Sequence, residues 1–330
     1  MTITSTSDEP PVDIEIGKLW TLDDTFSHPD FRLLYVPPKD EHGKMMIITP
    51  SEHEPSYVPD RKFYALSHLW GTDPNDNLWE VSDFIIDENG DTVEPIPMRK
   101  EKRKTFIKLL QDNSGYWWID ILCCRTDTPP VIMRGVYGCC HTCFAMIDCP
   151  SKAIEYFSIV LPQSELHDKS AAIIDLNVAR MRWGEPPFSD TKSFLMEGCK
   201  HARDIWECRW FSRVWTMQEL ALPSSVILLS ETCGMLCYIS ADSLCSKQHD
   251  FWFYFDVVIY KKDEGDSAMA LQKHLSILRN AAHKSQGFEE KPNYDRFPNL
   301  DWLLTQFSLS ERSCSFAEDY VYGVLGILEL

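Results

Sequence analysis

Glu219 offers the most chemistry in this chain. It lies in Arg213-Val214-Trp215-Thr216-Met217-Gln218-Glu219-Leu220. Trp215 and Glu219 are four residues apart, so a helix puts both on one face and sets an aromatic plate beside a carboxylate. The alternative is an ordinary surface helix in which Glu219 pairs with Arg213. A second group sits in Tyr64-Ala65-Leu66-Ser67-His68-Leu69-Trp70-Gly71. Ser67 and His68 supply polar groups where a core strand ends, Trp70 supplies a flat apolar surface, and Gly71 permits a tight turn. Equally, Trp70 can plug the core and Ser67 can cap a turn. Asp120 interrupts the apolar run Trp117-Trp118-Ile119-Asp120-Ile121-Leu122. A carboxylate there must be partnered or close to the strand end; it either binds ligand hydroxyls or braces the loop that follows. Arg125 then either meets a phosphate or pairs with Asp127.

These residues need a scaffold. Phe63–Ser67, Trp117–Leu122, Cys143–Ile147 and Ser225–Leu229 read as strands, and the nearly continuous apolar runs suit a parallel sheet covered on both faces. Between them, Arg99–Asp112 reads as a helix with Phe106, Ile107, Leu109 and Leu110 on one face. Pro129-Pro130 opens a second helix through Met133 and Tyr137. Glu165–Arg180, Ser193–Trp206 and Trp215–Ala221 are helical, the last stopped by Pro223. The alternation predicts an α/β fold. In such sheets ligands bind where the strands end, which is where Ser67, His68 and Trp70 stand. A polar leading arm over residues 1–60 contains the strand Phe31–Val36. The core spans 61–235, and residues 236–330 read as a mostly helical part packed on it. Phe251–Tyr260 is a buried strand or helix, and Asp83–Pro97 a surface loop.

Composition narrows the function classes. The chain has 330 residues, 44% of them hydrophobic, and a formal net charge of −18. A nucleic-acid binder needs a dominant basic footprint, so none is expected. The run Arg99-Lys100-Glu101-Lys102-Arg103-Lys104 reads as the solvated face of a helix. No run approaches the ~18 apolar residues of a membrane span, and the acidic start lacks the features of a signal peptide; a cytoplasmic location is expected. The twelve cysteines then read as buried apolar residues rather than a disulfide framework. Cys139-Cys140-His141-Thr142-Cys143 invites a zinc reading, with Cys139, Cys143 and His141 as ligands. However, strand neighbours face opposite ways, and no metal is expected. There is no Walker-type loop and no Gly-x-Gly-x-x-Gly pattern.

The order of the blocks adds a resemblance. Tyr64–Gly71, Trp117–Cys123, Arg213–Leu220 and Arg312-Ser313-Cys314-Ser315-Phe316-Ala317-Glu318-Asp319-Tyr320-Val321-Tyr322-Gly323 together resemble the fungal heterokaryon-incompatibility (HET) domain, whose members trigger cell death when incompatible cells fuse. Trp215, Glu219 and Leu220 also resemble the Trp-Cys-x-x-Glu-Leu motif of Toll/interleukin-1 receptor (TIR) domains, with Thr216 in place of the cysteine. The resemblance implies a TIR-like (flavodoxin-like) parallel sheet flanked by helices. It also implies a death effector that cleaves NAD at the nicotinamide–ribose bond, with Glu219 as the catalytic residue. The indole of Trp215 then packs a nucleobase or nicotinamide while the carboxylate reaches the ribose. Ser67, His68, Trp70, Gly71, Asp120, Arg125 and Trp215 are the expected nucleotide contacts, NAD is substrate rather than cofactor, and partners are further copies of the chain or a death-signalling protein. The alternative is a non-catalytic signalling or nucleotide-sensing module. This chain departs from the HET pattern after Cys123, where Cys124-Arg125-Thr126 replaces the usual Ile-x-Gln.

Overall fold

The apolar runs that follow polar turns become strands. In chain order they are β1 (Leu33–Val36), β2 (Met45–Ile48), β3 (Tyr64–His68), β4 (Leu78–Trp79), β5 (Ile85–Ile86), β6 (Ile96–Pro97), β7 (Gly115–Ile119), β8 (Thr142–Ile147), β9 (Val226–Ser230) and β10 (Ile239–Ser240). The helices are α1 (Leu22–Ser27), α2 (Lys100–Asp112), α3 (Asp120–Cys123), α4 (Ile132–Cys139), α5 (Ser151–Glu155), α6 (Ser189–Trp206) and α7 (Thr216–Ala221). The computed structural model describes residues 21–53, 57–70, 78–125, 128–129, 132–160, 189–232 and 236–244. The expected elements at Glu165–Arg180 and Phe251–Tyr260, and the fourth block from Arg312, lie outside them.

Eight strands form one sheet in the order β10-β9-β8-β3-β7-β1-β2-β5. Its centre is parallel: β3 lies between β7 and β8, and β9 follows β8. Among these four strands alone the spatial order is second, first, third, fourth, which is the order of flavodoxin-like sheets. The two strands of the leading arm continue the same sheet, since β1 runs antiparallel to both β7 and β2. The fold is therefore α/β, as expected, with a mixed sheet rather than a wholly parallel one. Asp83–Pro97 is not simply a surface loop. It contributes β5 to the sheet edge through parallel pairing with β2, and Ile85 is fully buried.

All six residues of β8 are buried, as a central strand covered on both faces requires. Trp117 and Trp118, adjacent on β7, go to opposite faces: Trp117 packs on Tyr64 and Phe144, and Trp118 packs edge-on against Tyr137 of α4. α2 buries Phe106, Leu109 and Leu110. Its end is closed by Asn113, whose side-chain amide donates to the Leu109 carbonyl at 3.0 Å. Gly115, at φ +125°, makes the turn into β7, a conformation that favours glycine. Among the described residues, no helix is long and apolar enough to cross a membrane.

Candidate functional site

A side chain at the end of β3 points up or down, never sideways. Ser67 and His68 therefore begin two separate networks at the edge where the parallel strands end.

Ser67, Glu219 and Trp210 form a buried network. The Ser67 hydroxyl donates to Glu219 Oε2 and accepts from the indole Nε1 of Trp210 at 2.6 Å. Its register partner on β8 is Ala145, so no bulky neighbour crowds the hydroxyl from that side. Glu219 arrives on α7, a helix of only six residues. Thr216 helps begin that helix by donating through Oγ1 to the Arg213 carbonyl at 2.8 Å. Trp210 stands in the short turn Arg209–Ser212. That turn is held by Asp148, directly after β8, whose carboxylate accepts from the Trp210 backbone N–H at 3.2 Å and from Arg209 Nε at 3.0 Å. Burial pushes the Asp148 carboxyl up, but these donors outweigh it and keep its pKa below the ordinary value. Tyr137 of α4 stays a neutral phenol, raised by its burial and then by the Glu219 charge.

The His68 network runs across the other face. Lys102 of α2 is 0% exposed. Its ammonium donates to the Leu69 carbonyl and lies 3.0 Å from His68 Nδ1. Nδ1 also lies 3.1 Å from the Leu69 carbonyl, so a neutral ring either accepts there from the Lys102 ammonium, which only donates, or donates to that carbonyl. Nε2 is 3.2 Å from Asp120 Oδ1, yet outside hydrogen-bonding alignment. Asp120 also accepts from the Trp70 indole at 2.7 Å and from the Ile121 N–H at 2.7 Å. Burial raises the Asp120 pKa, but His68 and these two donors more than offset it and hold the carboxyl below its ordinary range. His68 is driven the other way, towards its neutral form, first by burial and then by Lys102. Burial likewise depresses Lys102 from 10.5 to about 8, against the pull of Glu231. Glu231, after β9, is chelated by Arg99, with both oxygens 2.5 Å from Nη2. The two networks meet at Arg213, whose Nη1 donates to the His68 carbonyl at 3.2 Å.

The expected site residues divide accordingly. Ser67 and Glu219 are joined directly, and Ser67 does not cap a turn. Trp70 does not plug the core: at 45% exposed it lies open beside Asp120. Asp120 does not interrupt a strand but opens the helical turn α3, and it is partnered, as a carboxylate there must be. Trp215 is half-buried at the start of α7, one turn before Glu219. Arg125 pairs with Glu88. Gly71 and Asp127 lie outside the described residues. Lys100, Glu101 and Lys104 of the basic run are exposed, as a solvated face requires, but Lys102 and Arg99 turn inward to bond Leu69 and Glu231. The spacing carried the signal for Lys102, which falls four residues before Phe106 on the same stripe. Trp210 and Asp148 also went unread. The signal for Asp148 was its place just after a core strand, the same logic that singled out Ser67.

Among the described residues, no cluster of His, Cys, Asp and Glu is placed to hold a metal ion. Burial raises the thiols of Cys140 and Cys143 above their ordinary values, which disfavours the thiolate a metal needs.

Residues 63–219 match the model of the family described as Heterokaryon incompatibility protein (HET). This chain carries a HET domain. The matched span opens at β3 and closes on Glu219 itself, so both partners of the Ser67–Glu219 bond fall inside the HET domain. With the domain comes a role in heterokaryon incompatibility. No curated protein and no solved structure matches the chain.

Proposed function

We propose that this HET domain is a cell-death effector that cleaves NAD at the nicotinamide–ribose bond, with Glu219 as its catalytic carboxylate. The observation that carries the reading is the Ser67–Glu219 hydrogen bond. It fixes a carboxylate from α7 at the edge of β3 and β8, where the order of the parallel strands reverses and ligands bind in sheets of this kind. As nicotinamide leaves, positive charge grows on the ribose, as in sugar hydrolysis. A preorganised carboxylate stabilises that charge without reorganising. Trp70, open to solvent and steered by Asp120, supplies the flat surface for a planar ring.

Glu219 is only 7% exposed. NAD therefore reaches it only after the edge opens. The test is release of nicotinamide by purified full chain, dispersed and concentrated into assemblies, with Glu219→Gln alongside. Removing one such electrostatic contact lowers the rate about 10²–10³-fold. Equal rates for the two proteins remove Glu219 from the chemistry. If no assembly turns over NAD while Glu219→Gln still abolishes cell death, the domain is a non-catalytic signalling module instead.

A further inference from the structure

The Ser67 hydroxyl has one proton and two lone pairs. Its proton goes to Glu219, and the Trp210 indole N–H enters a lone pair at 2.6 Å. An indole nitrogen can only donate. Trp210 therefore fills one lone-pair direction of the hydroxyl and narrows the positions left for the O–H, which points to the carboxylate. We propose that Trp210 is a positioning residue for Glu219, acting through Ser67; the proposal rests on the reading of Glu219 as the reacting carboxylate.

Four elements have to meet for this chain of bonds to exist. Asp148 at the end of β8 holds the backbone N–H groups of Arg209 and Trp210 at 3.3 and 3.2 Å, which anchors the turn Arg209–Ser212. That turn aims the indole at Ser67 on β3, and Ser67 reaches across to α7. Trp210 is 0% exposed, so it touches no substrate, and its effect on Glu219 passes through the serine. Successive hydrogen bonds polarise one another. A serine that is already accepting is a stronger donor to Glu219 than one that is not. Ordinary core packing explains the buried ring of Trp210 but not the bond from its nitrogen into a hydroxyl committed to a carboxylate.

The test uses 15N-labelled full chain and follows the Trp210 indole N–H resonance, assigned by its disappearance in Trp210→Phe. Ser67→Ala and Glu219→Gln serve as second variants should Trp210→Phe fail to fold. If the relay exists, the resonance moves in both. A resonance that ignores both substitutions overturns the proposal, because an indole N–H bonded into the relay has to respond when the serine or the carboxylate at its far end is changed. In turnover, Trp210→Phe lowers kcat about three- to tenfold, the size of one neutral hydrogen bond, and leaves KM within about twofold of wild type by the same measure. A rise in KM with kcat intact places Trp210 in substrate binding and also overturns the proposal. Should the wild type release no nicotinamide in any state, the NAD reading fails by itself, and the indole resonance still decides whether the relay is there.

Discussion

Ser67 and His68 are adjacent on β3, yet their side chains serve opposite faces of the sheet: Ser67 bonds Glu219 of α7, while His68 lies 3.0 Å from the ammonium of Lys102 on α2. One dipeptide thus links the two helical layers at the edge where the parallel strands end. The Ser67 side is a chain of neutral donors ending on a carboxylate. The His68 side is a chain of titratable groups ending beside an exposed indole. The two sides therefore respond to different perturbations.

On the Ser67 side, stability and chemistry separate by choice of substitution. Glu219→Gln keeps an acceptor for the Ser67 hydroxyl. Glu219→Ala removes it and leaves a buried donor unsatisfied, at a cost of about 1–3 kcal/mol. Urea unfolding should therefore rank Glu219→Ala clearly below Glu219→Gln. Equal midpoints would mean that the buried hydroxyl finds another acceptor and that the bond to Glu219 is dispensable for folding.

Arg99 and Glu231 make the second measurable pair. The Glu231 side chain is 3% exposed and that of Arg99 15%. Burial raises the Glu231 pKa, partly offset by Arg99 and Lys102. Arg99→Met strands this carboxylate, which typically costs about 3–5 kcal/mol. Adding Glu231→Leu to that variant should recover most of the loss, since an apolar pair replaces a buried ion pair nearly neutrally. Thermal melts of the two variants distinguish a stranded charge from a simple packing defect: only the stranded charge is rescued by the second substitution.

The sheet was legible because buried parallel strands write themselves as apolar runs: Thr142–Ile147 has no exposed residue to confuse the pattern. The Ser67–Glu219 meeting was legible only through motif order, since 152 residues separate them and no local rule links them. Lys102 was hidden by composition. A lysine flanked by Glu101 and Arg103 reads as surface, and only the packing of α2 against β3 shows that its four-carbon stem carries the charge inward. Short edge strands such as Ile85–Ile86 are hidden for another reason. Two residues carry no period, and their pairing with β2 is a tertiary decision.

Trp70 should be the most tolerant of the site residues in folding and among the least tolerant in binding. Trp70 is 45% exposed, and its indole bonds Asp120 at 2.7 Å. Trp70→Ala should change unfolding stability by no more than about 1 kcal/mol, the worth of that hydrogen bond. Loss of a stacking surface weakens binding of a planar base by about 1–3 kcal/mol in single-stranded nucleic-acid proteins, so the affinity for NAD measured calorimetrically should fall at least about fivefold. An unchanged Kd takes Trp70 out of the site.

The His68 side predicts a pH signature. Lys102 titrates at about 8 in the folded protein, against 10.5 for an ordinary lysine, because burial disfavours its charge. Between those two values the unfolded chain holds a proton that the folded chain has released. Stability rises with pH wherever the unfolded state binds more protons, so this group adds stability as pH climbs through that window, up to about 3 kcal/mol in all. Buried thiols act in the opposite sense. Cys123, for example, is raised from 9.0 to about 12, so its unfolded form ionises first and stability falls as pH passes above its ordinary value. That loss is common to wild type and to Lys102→Met, and it cancels in their difference. Urea unfolding of both proteins at about pH 8 and about pH 10 should show the wild type gaining on the variant across the interval. In the same variant the His68 ring loses the cation that is second only to burial in depressing it. Asp120 then has the larger say, and the His68 proton resonances should titrate at higher pH than in the wild type. Parallel pH slopes for the two proteins would mean that burial does not hold Lys102 below its ordinary value in this window.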